Sequence, residues 1–366
     1  QWVPVLLREN PVWSPRSYVV LFSMNQGLVS TIVPVYNRPR LLSEAVRSVL
    51  QQTYRSIEIV IVDDGSTDDT ADVADRLSRE AIIPIKVIRQ ANSGPGAARQ
   101  RGLDEAQGEF LQFLDSDDLL LPGKFSAQVA VLQRRLECGI CYGPSAEENH
   151  VSNPPKRDWP MRATGEPIDY LFPRLLTERW WTTSSPLYRR TLLDQIGPWQ
   201  PWINEEDWEY DARCGATRTR LAWVEDPCSV RRINLGNDHL SQRGSVDPRK
   251  LSDRSMARQS IYISARQAGI PLEAPEMRLF ARSTFLLCRQ CGLAGLDKES
   301  ITLLNLARCA STPTSFRLLY YFFYGLVAHW FGWRRGAKFA NIFSPLTHST
   351  TSRASLIWLS IITSQR

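Results

Sequence analysis

Beyond Glu299 the sequence has no aspartate and no glutamate: all 38 acidic residues stand at or before that position, whereas the 44 lysines and arginines continue to the last residue, Arg366. The first 299 residues sum to −1 and the remainder to +7. A near-neutral body with an acid-free basic tail suits a tail facing an anionic surface, so the pI near 9.0 does not by itself imply nucleic-acid binding. Basic residues interleaved with aromatics, which a nucleic-acid surface needs, occur only weakly and only in the tail, and no nucleic-acid partner is expected. Low-complexity tracts and internal repeats are also missing. With 43% apolar residues, 22% charged residues, 20 Gly and 23 Pro, disorder and collagen are excluded.

Long apolar runs are scarce. Near the N-terminus the only one is Tyr18–Phe22, short of the roughly 7 to 15 residues of a secretory h-region, so no export by that route is expected. Seven cysteines, an odd number, fit reduced thiols in a cytosolic setting better than a disulfide framework. Leu318–Trp333 is free of Asp, Glu, Lys and Arg, but as a helix it would span only about 24 Å, against a hydrocarbon core of about 30 Å. That stretch is followed by Arg334, Arg335 and Lys338. It is expected either to lie in a membrane interface, on anionic lipid, or to pack against the rest of the protein.

Residues 1–24, with Pro4, Pro11 and Pro15, read either as an upstream extension, with Met24 as the natural start, or as an ordinary N-terminal arm. From Val29 strand and helix signals alternate. Val29–Val35 and Ile57–Val62 are β-branched runs of the kind buried on both faces, and Arg40–Gln52 has apolar residues at helical spacing. Ser66 or Thr67 is placed to cap a helix running through Arg79; Pro84–Ile88 and Glu109–Leu114 read as strands around a helix at Gly94–Ala106. Helices are also expected near Thr191–Ile196 and Glu206–Cys214. The fold class is α/β with a mostly parallel central sheet over residues 25–250, followed by a helical region over 251–366.

Ligands of such sheets sit at the carboxyl ends of the strands, where this sequence places acidic and Gly-rich turns. Asp115 and Asp117, at i and i+2 after a buried strand, offer hard oxygen donors suited to Mg²⁺ or Mn²⁺ beside phosphate oxygens. An isolated pair of this kind is more often a solvated or capping cluster, but three further segments precede it in order: Val33-Pro34-Val35-Tyr36-Asn37, Val62-Asp63-Asp64-Gly65-Ser66-Thr67-Asp68, and Asn92-Ser93-Gly94-Pro95-Gly96-Ala97-Ala98-Arg99-Gln100-Arg101-Gly102. With Phe113-Leu114-Asp115-Ser116-Asp117-Asp118 they make the chain resemble the family 2 glycosyltransferases, inverting enzymes of GT-A fold, over roughly residues 29–240.

The resemblance implies that Pro34, Tyr36, Asn37 and Asp64 hold the nucleoside, that Arg99 lies near the nucleotide, that Asp115 faces the ribose or sugar, and that Asp117 ligates the divalent metal. It departs from the family at Gln100, where Asn is usual. It further implies that Asp207, with Glu206 second, is the base in Glu205-Glu206-Asp207-Trp208-Glu209; the alternative is a set of acids favoured at a helix start. Trp180, Trp181, Trp199, Trp202 and Trp208 are either an acceptor platform, with Trp208 preferred, or core. His239 is either a third metal or phosphate contact or a surface loop residue. The Cys138/Cys141 and Cys288/Cys291 pairs have zinc-like spacing but are expected in a core strand and an apolar helix.

The expected function is transfer of a sugar from a nucleotide-diphosphate sugar, UDP-linked by resemblance with thymine and guanine open, to a hydroxyl of a glycan or lipid-linked acceptor. Such an enzyme would be cytoplasmic, with peripheral contact to the inner face of the membrane. The alternatives are an inactive sugar-nucleotide or glycan-binding module, and a sugar nucleotidyltransferase. The last would want a Gly- and basic-rich first turn, and a dinucleotide enzyme would want GxGxxG there; Tyr36-Asn37-Arg38-Pro39 is neither.

Overall fold

The computed structural model describes residues 24–151, 154–161, 164–235 and 246–342. The N-terminal arm up to residue 23, His239 and the tail beyond residue 342 lie outside the described residues. The first half alternates strand and helix: β1 (Asn25–Val35), α1 (Pro39–Leu50), β2 (Ile57–Asp63), α2 (Thr70–Glu80), β3 (Ile85–Arg89), α3 (Pro95–Glu105) and β4 (Gly108–Phe113). There follow β5 (Leu119–Leu120), α4 (Lys124–Arg134), β6 (Cys138–Tyr142), β7 (Ser145–Asn149), β8 (Lys156–Asp158), β9 (Leu187–Arg189), α5 (Arg190–Ile196), α6 (Glu206–Ala216), β10 (Arg220–Trp223) and β11 (Ser229–Ile233). The rest is helical: α7 (Pro248–Gln267), α8 (Pro275–Ala294), α9 (Asp297–Cys309), α10 (Phe316–Phe331) and α11 (Trp333–Ile342).

The main sheet has the order β3-β2-β1-β4-β9-β6-β10, parallel throughout except for β9, which runs against both β4 and β6. Alternation along each strand divides the core in two. Ile32, Val60, Val62, Leu111 and Phe113 pack on one side with Trp180, Trp181, Trp199, Tyr210 and the helical residues Ile261, Phe280 and Leu306. Val33, Ile59, Ile61 and Phe110 pack on the other with Leu42, Val46, Phe125 and Leu132. The helical region therefore covers one face of the sheet and shares its core. Trp180, Trp181 and Trp199 belong to that core, and the platform reading fails for them because their rings fill the space between sheet and helices. All seven cysteines are free thiols, six of them buried. Among the described residues no helix is long and apolar enough to cross a membrane.

Matched registers bring the carboxyl ends of the strands to one edge: Val35 pairs with Asp63 and Asp63 with Arg89, while Leu114 N–H bonds Ile32 O at 2.9 Å. A small second sheet, β5-β11-β7-β8, begins right after the acidic turn at 115–118 and fastens its far side. The cap of α2 is Asp69 rather than Ser66 or Thr67. Those two side chains turn the other way: Ser66 Oγ accepts from Asn37 N–H at 2.9 Å and Thr67 Oγ1 from Asn37 Nδ2 at 3.4 Å.

The Gly94-Pro95-Gly96 turn is required by a neighbour distant in sequence. Gly94 has φ +88, and a Cβ at Gly96 would lie 2.0 Å from the carbonyl oxygen of Gln200. Backbone meets backbone there, so no side chain can move aside. Gly96→Ala is therefore expected to destabilise by about 1–3 kcal/mol, the usual range for overpacking. Gly123→Ala, with nothing within 4 Å, should be near neutral. Urea midpoints of the two variants check this, and equal midpoints would refute the contact.

Candidate active site

Four turns at the carboxyl edge of the sheet form the site. Asn37 has a left-handed backbone (φ 51) and binds the neighbouring turn through three hydrogen bonds, the third from Thr67 N–H to its Oδ1 at 2.8 Å. Asp64 is buried, and its carboxylate accepts from Gln90 Nε2 (2.7 Å), Ser93 N–H (2.9 Å) and Gly94 N–H (2.8 Å). It thus folds the 90–94 loop over the sheet edge. Pro34 lies within β1 opposite Val62, and Tyr36 projects beyond it, 44% exposed.

The acidic turn separates its carboxylates by environment. Asp118 is buried, accepting from Ser184 Oγ at 2.7 Å and Arg232 N–H at 3.2 Å. Burial, and then the charges of Asp117 and Asp115, push its carboxyl up to about 8. Asp117 is paired with Arg38, and Arg232 Nε donates to the Asp117 carbonyl while its Nη1 reaches Glu44. Asp115 accepts from Arg99 Nη2 at 2.7 Å.

Arg99 joins this turn to the second acidic focus. Its Nη1 donates to Glu206 Oε1 at 2.7 Å, and its guanidinium carbon lies 5.0 Å from the centre of the Trp199 ring, which itself stacks on Tyr210. Burial alone would lower the pKa of Arg99; Asp115, Glu206 and Asp207 outweigh it and hold the group above its ordinary range. For Glu206, burial and the adjacent Asp207 push the carboxyl up to about 7 against the pull of Arg99. Asp207 follows in the first turn of α6 and is more open, its side chain 27% exposed against 8% for Glu206. Its Oδ2 accepts from Arg179 Nη1 and from Thr183 Oγ1 (3.3 Å), and its Oδ1 from Trp208 N–H (2.7 Å).

Behind Asp207 stands a layer that sequence reading did not identify. Arg179 Nε donates to Asp211 at 2.8 Å, and Asp211 also accepts from Tyr188 OH (2.7 Å) and Trp181 Nε1 (3.1 Å). Burial raises the pKa of Asp211, opposed by Arg179 and Tyr188. One signal was available: Asp207 and Asp211 are i, i+4 on one helix, so like charges share a face and call for a cation between them. Trp208 is half-buried, with its Nε1 donating to Leu175 O at 2.8 Å and Arg258 over its ring at 4.5 Å. Gln100 accepts from Trp199 N–H at 2.8 Å and donates to Asp104 at 2.6 Å, so the residue that departs from the family pattern holds the core tryptophan in place.

Among the described residues no three His, Cys, Asp or Glu side chains are grouped so as to hold a metal ion. The donor chemistry nonetheless fits a hard cation: Asp115 and Asp117 offer carboxylate oxygens from one turn, at 31% and 17% exposure, each now facing a guanidinium.

The buried acid of the turn sets a pH dependence. A folded pKa raised to about 8 means that Asp118 contributes stability present below its unfolded value near 4 and lost as pH rises through about 8. Asp118→Asn keeps the shape and stays neutral. The gap between wild-type and variant urea midpoints should therefore shift in favour of the variant from about pH 5 to about pH 8; a constant gap would show that Asp118 is ionised throughout.

Comparison with known proteins gives the family and the fold. The profile described as Glycosyl transferase family 2 matches residues 30–197, which include the first four turns and end at Gly197. An uncharacterized glycosyltransferase of Nostoc sp. is 32% identical over 232 residues, covering 62% of this chain and 71% of its own length. The GalNAc(5)-diNAcBac-PP-undecaprenol beta-1,3-glucosyltransferase of Campylobacter jejuni is 42% identical over 99 residues, 27% of this chain and 32% of that protein. Among solved structures, S. aureus TarS 1-349 in complex with UDP-GlcNAc superposes with a TM-score of 0.60 at 21% identity, over 78% of this chain and 82% of that one, a likeness of fold. With its motifs gathered on one sheet edge and a relative matched along most of its length, the chain belongs to glycosyltransferase family 2 and has a GT-A-like fold.

Proposed function

We propose that the protein transfers a sugar, with inversion, from a nucleotide-diphosphate sugar, UDP-linked in the first instance, to a hydroxyl of a glycan or lipid-linked acceptor. The observation that carries this reading is the Arg99 bridge, which sets the acidic turn at Asp115 and the Glu206–Asp207 pair on either side of one guanidinium. The cation that holds a donor diphosphate and the base that deprotonates an acceptor hydroxyl each call for a carboxylate, neighbouring but separate. UDP-GlcNAc bound to a protein of similar fold, and the lipid-linked glycan in the name of the Campylobacter relative, support the donor and acceptor classes.

In this reading Pro34, Tyr36, Asn37 and Asp64 form the nucleoside side of the site, and Asp115, oriented by Arg99, faces the ribose or the sugar. Asp207 takes the proton of the acceptor hydroxyl as its oxygen bonds the anomeric carbon, and the bonding pair of the departing C–O bond leaves with the diphosphate. Arg179 and Thr183 hold the Asp207 carboxylate in place. Glu206, tied to Arg99 and only 8% exposed, is less open to an acceptor hydroxyl than Asp207. Mg²⁺ or Mn²⁺, held by Asp117, would neutralise the charge growing on the leaving diphosphate. The enzyme would act in the cytoplasm, peripherally on the inner face of the membrane.

A panel of nucleotide sugars, assayed for hydrolysis or transfer with and without metal, tests the donor class. Asp207→Asn should lower turnover by about 10² to 10⁴-fold while donor affinity stays close to that of the unaltered protein, because deprotonation is felt only on the way to the transition state. Retained turnover in Asp207→Asn with loss in Glu206→Gln would move the base to Glu206. Asp117→Ala should remove the metal-dependent part of nucleoside-diphosphate binding, measured by titration calorimetry; affinity unchanged with and without metal would refute the assignment.

A further inference from the structure

Helix α10 buries only a narrow stripe. Tyr321, Tyr324 and Ala328 pack inward, Tyr321 stacking on Phe285 of α8 at 4.6 Å and Tyr324 meeting the same ring edge-on at 5.0 Å. The opposite side presents Phe316, Leu319, Phe322, Phe323, Leu326 and Trp330, with exposures of 83%, 61% and 79% at Phe316, Phe323 and Trp330. Between Leu318 and Trp333 no Asp, Glu, Lys or Arg interrupts this surface. Soluble monomers rarely leave so long an apolar strip uncovered.

Helix α8 also exposes apolar side chains, Leu279 and Leu286, 52% and 45% exposed, two turns apart on one face with Arg282 between them. Charge frames the α10 strip. Arg317 stands at the start of α10, and Arg334, Arg335 and Lys338 stand on α11 just beyond its end, all exposed. Neither α10 nor α11 carries an acidic residue.

The geometry points to an anionic phospholipid bilayer as the occupant, with α10 lying in the interface plane, its aromatics at headgroup depth and the flanking basic residues on lipid phosphates. Its 16 residues give a length of about 24 Å, suited to lying along a bilayer rather than spanning it. A second copy of the chain is the weaker occupant. Symmetric pairing of these helices would bring their basic residues together without an acid on either helix to receive them. The inference gives the peripheral contact of the proposed function a defined surface, but it stands on this surface alone and not on catalysis.

The test is co-sedimentation of the full chain with vesicles of phosphatidylglycerol and phosphatidylcholine, against vesicles of phosphatidylcholine alone. Binding should favour the anionic vesicles and fall as added salt shortens the Debye length below about 10 Å. Phe323→Gln/Trp330→Gln, both exposed positions, should abolish pelleting with an unchanged far-UV spectrum, and Arg334→Gln/Arg335→Gln should remove the preference for anionic lipid. No pelleting of the unaltered chain at low salt overturns the proposal. So does pelleting insensitive to both variants, or a dimer in sedimentation equilibrium that the Phe323/Trp330 variant converts to monomer. Nucleotide-sugar hydrolysis in the absence of lipid is measured alongside: it should be equal in the unaltered chain and both variants. Its absence from all three would count against the proposed function without touching the lipid result.

Discussion

A guanidinium sealed from water between two carboxylates is the constraint on which the rest of this site depends. Arg99 is 4% exposed, and removing such a charge from solvent costs several kcal/mol unless its donors are satisfied. Asp115 and Glu206 each pair one of its terminal nitrogens, Nε is left without a partner, and Trp199 covers the guanidinium. The arrangement fixes more than one side chain. Asp115 comes from the end of β4 and Glu206 from the start of α6, so the closing of this bridge sets where the second half of the fold rests against the first. Arg179 repeats the device one layer deeper, between Asp207 and the buried Asp211.

The strands and helices up to Leu114 were legible because each is a short local pattern: β-branched runs buried on both faces, separated by helices with apolar residues at helical spacing. The four turns were legible for the same reason, since each is a contiguous segment. The groups that fell out of sight are those whose meaning depends on a distant partner. Asp118 reads like its neighbours in Asp115-Ser116-Asp117-Asp118, and only burial against Ser184 and Arg232 sets it apart. Ser66 and Thr67 look like helix caps until Asn37, some thirty residues earlier, takes up their hydroxyls. Aromatic composition misled in the same way. Tryptophan serves a sugar platform and a core equally well, and what decides between them is whether a sheet face lies opposite.

The helical region is held to the catalytic half by more than apolar contact. Glu205, the left-handed residue before α6, receives Arg254 at 2.8 Å and Arg258 at 3.5 Å from α7, and Arg258 also covers Trp208. Its neighbour in sequence, Glu206, faces the opposite way, to Arg99. Two consecutive glutamates thus anchor the start of α6 to both halves of the molecule, and α6 is the helix whose first turn presents Asp207.

The contact between the Gly94-Pro95-Gly96 turn and the Gln200 carbonyl bears on how far such an enzyme can be rebuilt. Loop segments are attractive units to exchange between related proteins, since they read as separable pieces of sequence. Here the 200–203 segment rests backbone to backbone on the turn beside Asp64, with Ile203 and Trp202 lying against Gly94 and Gly96 as well. A grafted segment of different path would meet an unyielding surface. Recombination across this boundary therefore has to carry the glycine turn and its opposite segment together, as a single inherited part.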